Sequence, residues 1–129
     1  NKKNKLWIAT NDGLNVLDLN KPLDSVSFQH YNMYTEGLVS SSNENKIFVI
    51  FEDTKKQLWL GGADGLYKLF RDNNGDVYFR MVNDTIGLPN FSIRTINEDV
   101  HGRLIIGGSS GLYLLEVNED TQKLNKIYD

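Results

Sequence analysis

The chain has 129 residues, of which 40% are hydrophobic and 24% charged, a composition typical of one globular domain. Its net charge of −3 argues against a nucleic-acid partner, which would require a basic stripe. The absence of cysteine excludes disulfides and thiolate metal sites, and no apolar run reaches the roughly 18 residues that span a bilayer.

A nine-residue pattern, Leu-Trp-Ile followed by four variable residues and Gly-Leu, occurs three times. Its copies are Leu6–Leu14, Leu58–Leu66 and Leu104–Leu112, at offsets of 52 and 46 residues. A second marker, Glu-Asp, occurs at residues 52–53 and 98–99, again 46 residues apart. Two independent markers with one spacing indicate an internal repeat.

Each repeat reads as short strands, A to D, separated by turn residues. In chain order the predicted strands are 6–10, 14–18, 26–31, 47–51, 58–62, 66–70, 77–82, 92–96, 104–108, 112–117 and 124–128. The glycine in every B–C turn predicts a tight hairpin with positive φ, and Asn73-Asn74-Gly75 predicts a hairpin between strands C and D. No helical periodicity of useful length is present, and residues 41–45 would form a turn at most.

Four short strands in about 45 residues is the period of a propeller blade. Strands B and C are apolar on both faces, as expected where sheets pack face to face, so we interpret Trp7 and Trp59 as inter-blade core. The prediction is an all-β fold, one β-propeller fragment of about three four-stranded antiparallel blades in an incomplete ring. It comprises a partial blade at 1–33 with strands B to D only, and blades at 46–82 and 92–129.

The repeat resembles the two-component regulator propeller repeat of bacterial hybrid two-component sensor histidine kinases. That repeat runs Gly-Leu, a spacer, Ile-x-Glu-Asp, a turn, and then Leu-Trp-Ile-Gly-Thr-x-x-Gly-Leu. Departures include Ala9 in place of Gly, Ile105 in place of Trp, and residues 55–57, which lack the glycine kept at Gly102. The resemblance implies a periplasmic sensor region of an inner-membrane-anchored protein, with an oligosaccharide as ligand.

A scaffold or protein-interaction propeller without a small ligand is the alternative. Double glycines at 61–62 and 107–108 resemble those of kelch propellers, but Asn73 and Glu119 stand where kelch has a Trp. Because propellers close with about four to eight blades, we expect the partners to be the remaining blades of a parent protein or further copies of this chain. Bare blade faces would otherwise stay exposed.

Ligands usually bind one face of a propeller, formed by the B–C turns and the D-to-A connections, since function lies in loops. The residues predicted to line that face are Asn11, Asp12, Tyr34, Glu36, Asp64, Asn90, Phe91, Ser109 and Ser110. Asp and Asn also favour turns for backbone reasons, and the aromatic residues could equally pack against a neighbouring blade.

No residue pattern supports catalysis, a metal or a cofactor, so we expect no enzyme activity in this segment. Because the Glu-Asp pairs repeat, they indicate turn chemistry rather than an acid–base couple. His30 and His101 lie in different repeats, without metal-ligand spacing. The stretch Asp72–Asp76 has its glycine at the fourth position, whereas a calcium loop requires it at the sixth.

Overall fold

The computed structural model describes residues 4–22, 24, 28–33, 45–117 and 122–128. The strands in these ranges are β1 (Lys5–Thr10), β2 (Gly13–Asp18), β3 (Phe28–Tyr31), β4 (Ile47–Glu52), β5 (Leu58–Gly62), β6 (Leu66–Arg71), β7 (Val77–Met81), β8 (Ile93–Glu98), β9 (Leu104–Gly108), β10 (Gly111–Val117) and β11 (Gln122–Tyr128). One four-residue helix, α1 (Asn83–Ile86), follows β7.

The strands form three antiparallel sheets that correspond to the three repeats. Blade 1 has the order β1-β2-β3, blade 2 the order β4-β5-β6-β7, and blade 3 the order β8-β9-β10-β11. Each strand pairs with its sequence neighbour, as in a meander, and within the described residues the three sheets do not close a ring. The predicted all-β fold of four-stranded antiparallel blades in an incomplete ring is confirmed.

The predicted strand bounds agree with the structure to within one or two residues at most ends. Strands β5 and β9 match their predictions at both ends, because glycines and turn residues flank them closely. Strand β3 begins at Phe28, while residues 26 and 27 of its predicted range lie outside the described residues.

The helix α1 was not predicted. It is a single turn, too short to show the 3.6-residue period by which a helix is recognised in a sequence. Gly87 ends it in the left-handed conformation at φ 77°, and the Leu88 N–H donates to the Asn83 carbonyl at 2.9 Å. The turn buries Ile86 and Leu88 against the core between blades 2 and 3.

The core lies between the sheets, which pack face to face. Trp59 is fully buried between blades 2 and 3, next to Ile93 and Ile106. Trp7 is partly buried between blades 1 and 2, where its ring meets Phe79 edge-on at a centroid distance of 6.4 Å. Both tryptophans therefore occupy the predicted inter-blade positions.

The B–C turns only partly follow the predicted backbone conformation. Gly13 and Gly111 have positive φ values of 90° and 127°, but Gly65 is not in the left-handed region, so that part of the prediction is wrong. Gly65 is needed for close approach instead: a Cβ there would lie 2.7 Å from the side-chain amide of Asn83. The glycine is the same, but the physical reason differs between blades.

The repeated carboxylates act in turns, as predicted. Asp53 Oδ1 accepts the N–H groups of Lys55 and Gln57 at 3.0 and 2.8 Å, and its Oδ2 accepts the Trp59 indole N–H at 3.0 Å. Asp99 Oδ1 accepts two backbone N–H groups in the corresponding turn of blade 3. These bonds satisfy turn donors that have no partner in the sheet.

The turn between β6 and β7 is the predicted hairpin. Asp72 Oδ1 accepts the N–H groups of Asn74 and Asp76, both at 2.9 Å, and Gly75 has a φ of 83°. The aspartate carboxylate is thus occupied by the backbone of its own turn.

Candidate functional site

The B–C turns and the D-to-A connections meet at one end of the blades, as the sequence predicts. Between blades 1 and 2, the Asn45 carbonyl accepts the Gly13 N–H at 2.6 Å, and the next carbonyl, of Lys46, accepts the Ala63 N–H at 3.0 Å. Two consecutive residues of the connection therefore tie the B–C turns of both blades together.

A polar network surrounds Asn45; we call Asp12, Asn15, His30, Asn32 and Asn45 the Asn45 cluster. The Asn45 side-chain nitrogen donates to Asp12 Oδ1 at 2.9 Å and to Asn32 Oδ1 at 2.8 Å, while its Oδ1 accepts a backbone N–H at 2.8 Å. His30 Nε2 lies 2.9 Å from Asn32 Oδ1, and its Nδ1 lies 2.8 Å from Asn15 Oδ1. Five side chains from three chain segments thus form one connected network.

Burial divides the Asn45 cluster into a fixed base and an accessible rim. Asn45 is only 5% exposed and uses both its donors and its acceptor within the protein. Asp12, His30 and Asn32 are exposed. Since Asn45 holds Asp12 and Asn32 in place, a ligand that bonds to their remaining polar atoms meets side chains that are already ordered.

A hollow of about 420 Å³ adjoins the cluster between strands β3 and β7. It is lined by Tyr31, Asn32, Met33 and residues 77–81. Burial raises the pKa of the Tyr31 phenol, against the smaller opposing effect of Arg71. The hollow shares Asn32 with the Asn45 cluster, so the polar network and a wall containing aromatic residues are contiguous.

A second buried asparagine lies at the boundary of blades 2 and 3. Asn83 is fully buried, and its Oδ1 accepts the Leu66 N–H at 2.8 Å. Its Nδ2 donates to the Pro89 carbonyl at 3.0 Å and to Asn90 Oδ1 at 3.2 Å. This asparagine stabilises the D-to-A connection and offers no group to a ligand.

In blades 1 and 2, three predicted site residues reach the loop end. Asn11 and Asp12 are exposed in the first B–C turn, and Asp64 is partly buried in the second. Asn90 is exposed but bonded to Asn83. Tyr34 and Glu36 lie outside the described residues.

The three site residues predicted in or next to blade 3 lie in two different environments. Ser109 and Ser110 are exposed in the B–C turn, and Ser109 borders a hollow of about 770 Å³ with Arg94 and Thr95. Phe91 is only 5% exposed, and its ring lies 5.5 Å from that of Tyr113, centroid to centroid. Phe91 therefore packs between elements of the core, which is the alternative considered for it in the sequence.

Sequence reasoning missed Asn45 and Asn15, and it considered His30 only as a metal ligand. A signal for Asn45 was present, since Asn45 and Phe91 both stand eight residues before the Asp of Glu-Asp. The two repeats differ there in chemistry, polar in one and aromatic in the other. A position that differs between repeats can carry a role that belongs to one blade alone.

Comparison with protein-family models finds no match, and comparison with curated proteins finds no significant one. Among the described residues, no three His, Asp or Glu side chains are grouped so that they could hold a metal ion. In the same part of the chain, no helix has the length and apolar character needed to cross a membrane.

Proposed function

We propose that the chain is a ligand-sensing propeller segment of the extracytoplasmic, periplasmic sensor region of a hybrid two-component signalling protein, and that its ligand is an oligosaccharide. The observation that carries the proposed binding role is the Asn45 cluster, an ordered polar network at the loop end of the blades. The assignment to a signalling protein rests on the resemblance of the repeat motifs.

The chemistry of the cluster suits a polyhydroxylated ligand. The exposed Asp12 carboxylate can accept from hydroxyl groups and the exposed Asn32 amide can donate to them, while both ring nitrogens of His30 are bonded to Asn15 and Asn32 and help to order the site. The lining of the adjoining hollow combines the Asn32 amide with aromatic residues, the general composition of small-ligand sites.

The position of the cluster supports a specific rather than a repeated role. Asn32 and Asn83 follow strand D in blades 1 and 2, but only Asn45 has a polar side chain at its repeat position, where blade 3 has Phe91. Within the described residues the cluster therefore forms at one blade boundary, so we propose one ligand position in this segment.

A scaffold propeller is the second candidate, favoured by an open apolar face on blade 1. Leu6, Leu17 and Phe28 form a cross-strand row, and Phe28 is 59% exposed. Its counterpart in blade 2, Phe79, is only 8% exposed because it packs against blade 1. The face of blade 1 thus suits a further blade or another protein rather than a sugar.

A glycan-array screen with the labelled chain, followed by calorimetric titration of any hit, tests the sensing proposal. We expect Asn11→Ala and His30→Ala to weaken binding at least tenfold, because Asn11 is exposed beside Asp12 in the turn and His30 holds Asn32 in place through a 2.9 Å hydrogen bond. Asn73→Ala, at the opposite end of blade 2, is the matched control and should bind as the parent chain does. Silence across the array, or equal binding by all three variants, would favour the scaffold.

A further inference from the structure

The A strands of blades 2 and 3 carry a bulge at the same repeat position. Strand β4 pairs with β5 and strand β8 pairs with β9, and both pairings shift register directly after the first residue of the A strand. The extra residue is Phe48 in β4 and Arg94 in β8, at corresponding positions of the two repeats. Because a bulge re-aims the side chain of its extra residue, Phe48 and Arg94 leave the regular alternation between the two faces of the sheet.

The bulge position opens to the A-strand edge of the blades and not into the core between them. Ile47 packs between blades 1 and 2 and Val49 packs between blades 2 and 3, but Phe48 belongs to neither core. Phe48 lies in the middle blade, with a blade on each side, and is still only half-buried. Since β4 and β8 are edge strands that contact each other, the bulge residues of blades 2 and 3 can meet along this edge.

Arg94 and Phe48 do meet there, and the guanidinium is held in place. The Arg94 Cζ lies 3.9 Å from the centroid of the Phe48 ring, and Arg94 Nε donates to Ser92 Oγ at 3.0 Å. Ser92 is itself fixed to the B–C turn of blade 3, because its N–H donates to Ser109 Oγ at 3.2 Å and its carbonyl accepts the Ser109 N–H at 3.0 Å. The aromatic ring and the serine together fix the plane of the guanidinium.

The two terminal nitrogens of Arg94 remain available to a ligand. Arg94 is exposed, and no carboxylate of the described residues lies within ion-pair distance of it. Its bond to Ser92 uses Nε, so Nη1 and Nη2 keep their N–H groups. These groups form a planar fork that matches the two oxygens of a carboxylate. Because the guanidinium is already oriented, little conformational freedom is lost when a carboxylate binds.

The Arg94 guanidinium lies near the Asn45 cluster. Phe48 follows Asn45 by three residues, so their Cα atoms are at most about 11 Å apart. Both positions belong to the loop end, since the Asn45 carbonyl is bonded to the B–C turn of blade 1 and Ser92 to that of blade 3. One oligosaccharide can therefore contact the Asn45 cluster and Arg94 together.

We propose that Arg94 is a second contact point for the ligand and that it binds the carboxylate of a uronic acid. The ligand is then an acidic oligosaccharide that extends from the Asn45 cluster to Arg94. The choice of a sugar as the carrier of the carboxylate rests on the function proposed above. The preference for a carboxylate rests separately on the oriented fork of Arg94.

The test is a titration of the whole chain with tetragalacturonate, followed by heteronuclear NMR. The same tetrasaccharide with every carboxylate methyl-esterified is the matched neutral probe. We expect the Arg94 Nε–H signal to shift with tetragalacturonate, and the neutral probe to bind about tenfold more weakly. Arg94→Lys keeps the charge but loses the fork, and it should weaken binding of tetragalacturonate about tenfold. Arg71→Lys is the control, an exposed arginine at the opposite end of blade 2, and it should change affinity by less than about twofold.

A second variant tests the role of the aromatic ring. Phe48→Leu leaves the charge of Arg94 in place but removes the ring that orients it, so binding of tetragalacturonate should weaken about two- to fivefold. Because Phe48 belongs to neither core, the variant should keep the circular dichroism spectrum of the parent chain. Unchanged affinity in Phe48→Leu would contradict the orienting role of the ring.

The other outcomes separate this proposal from the sensing proposal. Absence of tetragalacturonate binding, equal affinity for the charged and esterified probes, or equal affinity of the Arg94→Lys and Arg71→Lys chains would overturn the proposal. Binding of succinate or inorganic phosphate at Arg94 as tightly as tetragalacturonate would refute the uronic acid as the carrier of the charge. A neutral oligosaccharide that binds through the Asn45 cluster and is unaffected by Arg94→Lys would support the sensing proposal and refute this one.

Discussion

Replacement of Asn83 by alanine tests whether one buried side chain holds the boundary of blades 2 and 3. Asn83 is fully buried, and its amide makes three hydrogen bonds, to Leu66, Pro89 and Asn90. Asn83→Ala removes all three. It leaves the backbone of α1 free to form, since alanine favours helix.

The expected loss of stability depends on which of the three hydrogen-bond partners can bond to water instead. Leu66 is fully buried, so its N–H would lose its acceptor without replacement, at a cost of about 1–3 kcal/mol. Pro89 and Asn90 are exposed, and their oxygens can accept from water, so each lost bond costs about 0.5–1 kcal/mol. The free energy of unfolding should therefore fall by about 2–5 kcal/mol.

Urea unfolding, followed by tryptophan fluorescence and far-ultraviolet circular dichroism, measures this change. Asn73→Ala is the matched control because Asn73 is an exposed asparagine in a turn, and it should shift stability by less than about 0.5 kcal/mol. If Asn83→Ala were as stable as the control variant, the amide network would not be what holds the D-to-A connection, and the reasoning would be refuted.

Two further predictions concern the A–B turns. Lys56→Gly should raise the free energy of unfolding by roughly 1 kcal/mol, because Lys56 has a φ of 66°, in the left-handed region that favours glycine. Gly102→Ala, at a φ of 79°, should lower the free energy of unfolding by a similar amount for the same reason. The midpoints of urea unfolding measure both changes, and a Lys56→Gly variant less stable than the parent chain would contradict the strain argument. Although desolvation opposes ionisation, hydrogen bonds from Arg103 and His101 hold the pKa of the Asp99 carboxyl below its ordinary value of 3.8. The ionised Asp99 carboxylate therefore stabilises the fold above that pH, and this stabilisation is lost as the pH falls through the lowered pKa. The Asp99→Asn variant should consequently lose less stability than the parent chain on acidification from about pH 6 to 2.5. Identical dependence of stability on pH in the two proteins would contradict this role of Asp99.

Local signals were sufficient for most of the strands. Strands β5 and β9 are apolar runs bounded by turn residues, and the Asp and Asn residues that precede Gly75 predict the hairpin there. The roles of the repeated aspartates could also be derived, because a feature repeated in both four-stranded blades indicates a structural role in the blade itself.

The candidate site was predicted only in outline. The loop end and Asp12 were identified, because turns and connections can be placed once the blade period is known. The central residue, Asn45, was missed, since its partners Asp12 and Asn32 lie 33 and 13 residues away in the chain. Phe91 was predicted as a site residue because it lies in a D-to-A connection, but in the tertiary structure it packs against Tyr113.

The sequence by itself determined the repeat, the order of the strands and the places where the chain turns, because these depend on residue period and on local backbone preference. Only the tertiary structure decided which polar residues meet and which glycine serves close packing rather than a positive φ. Those properties depend on how one blade lies against the next, and contacts between segments far apart in the chain leave no periodic trace in a single sequence.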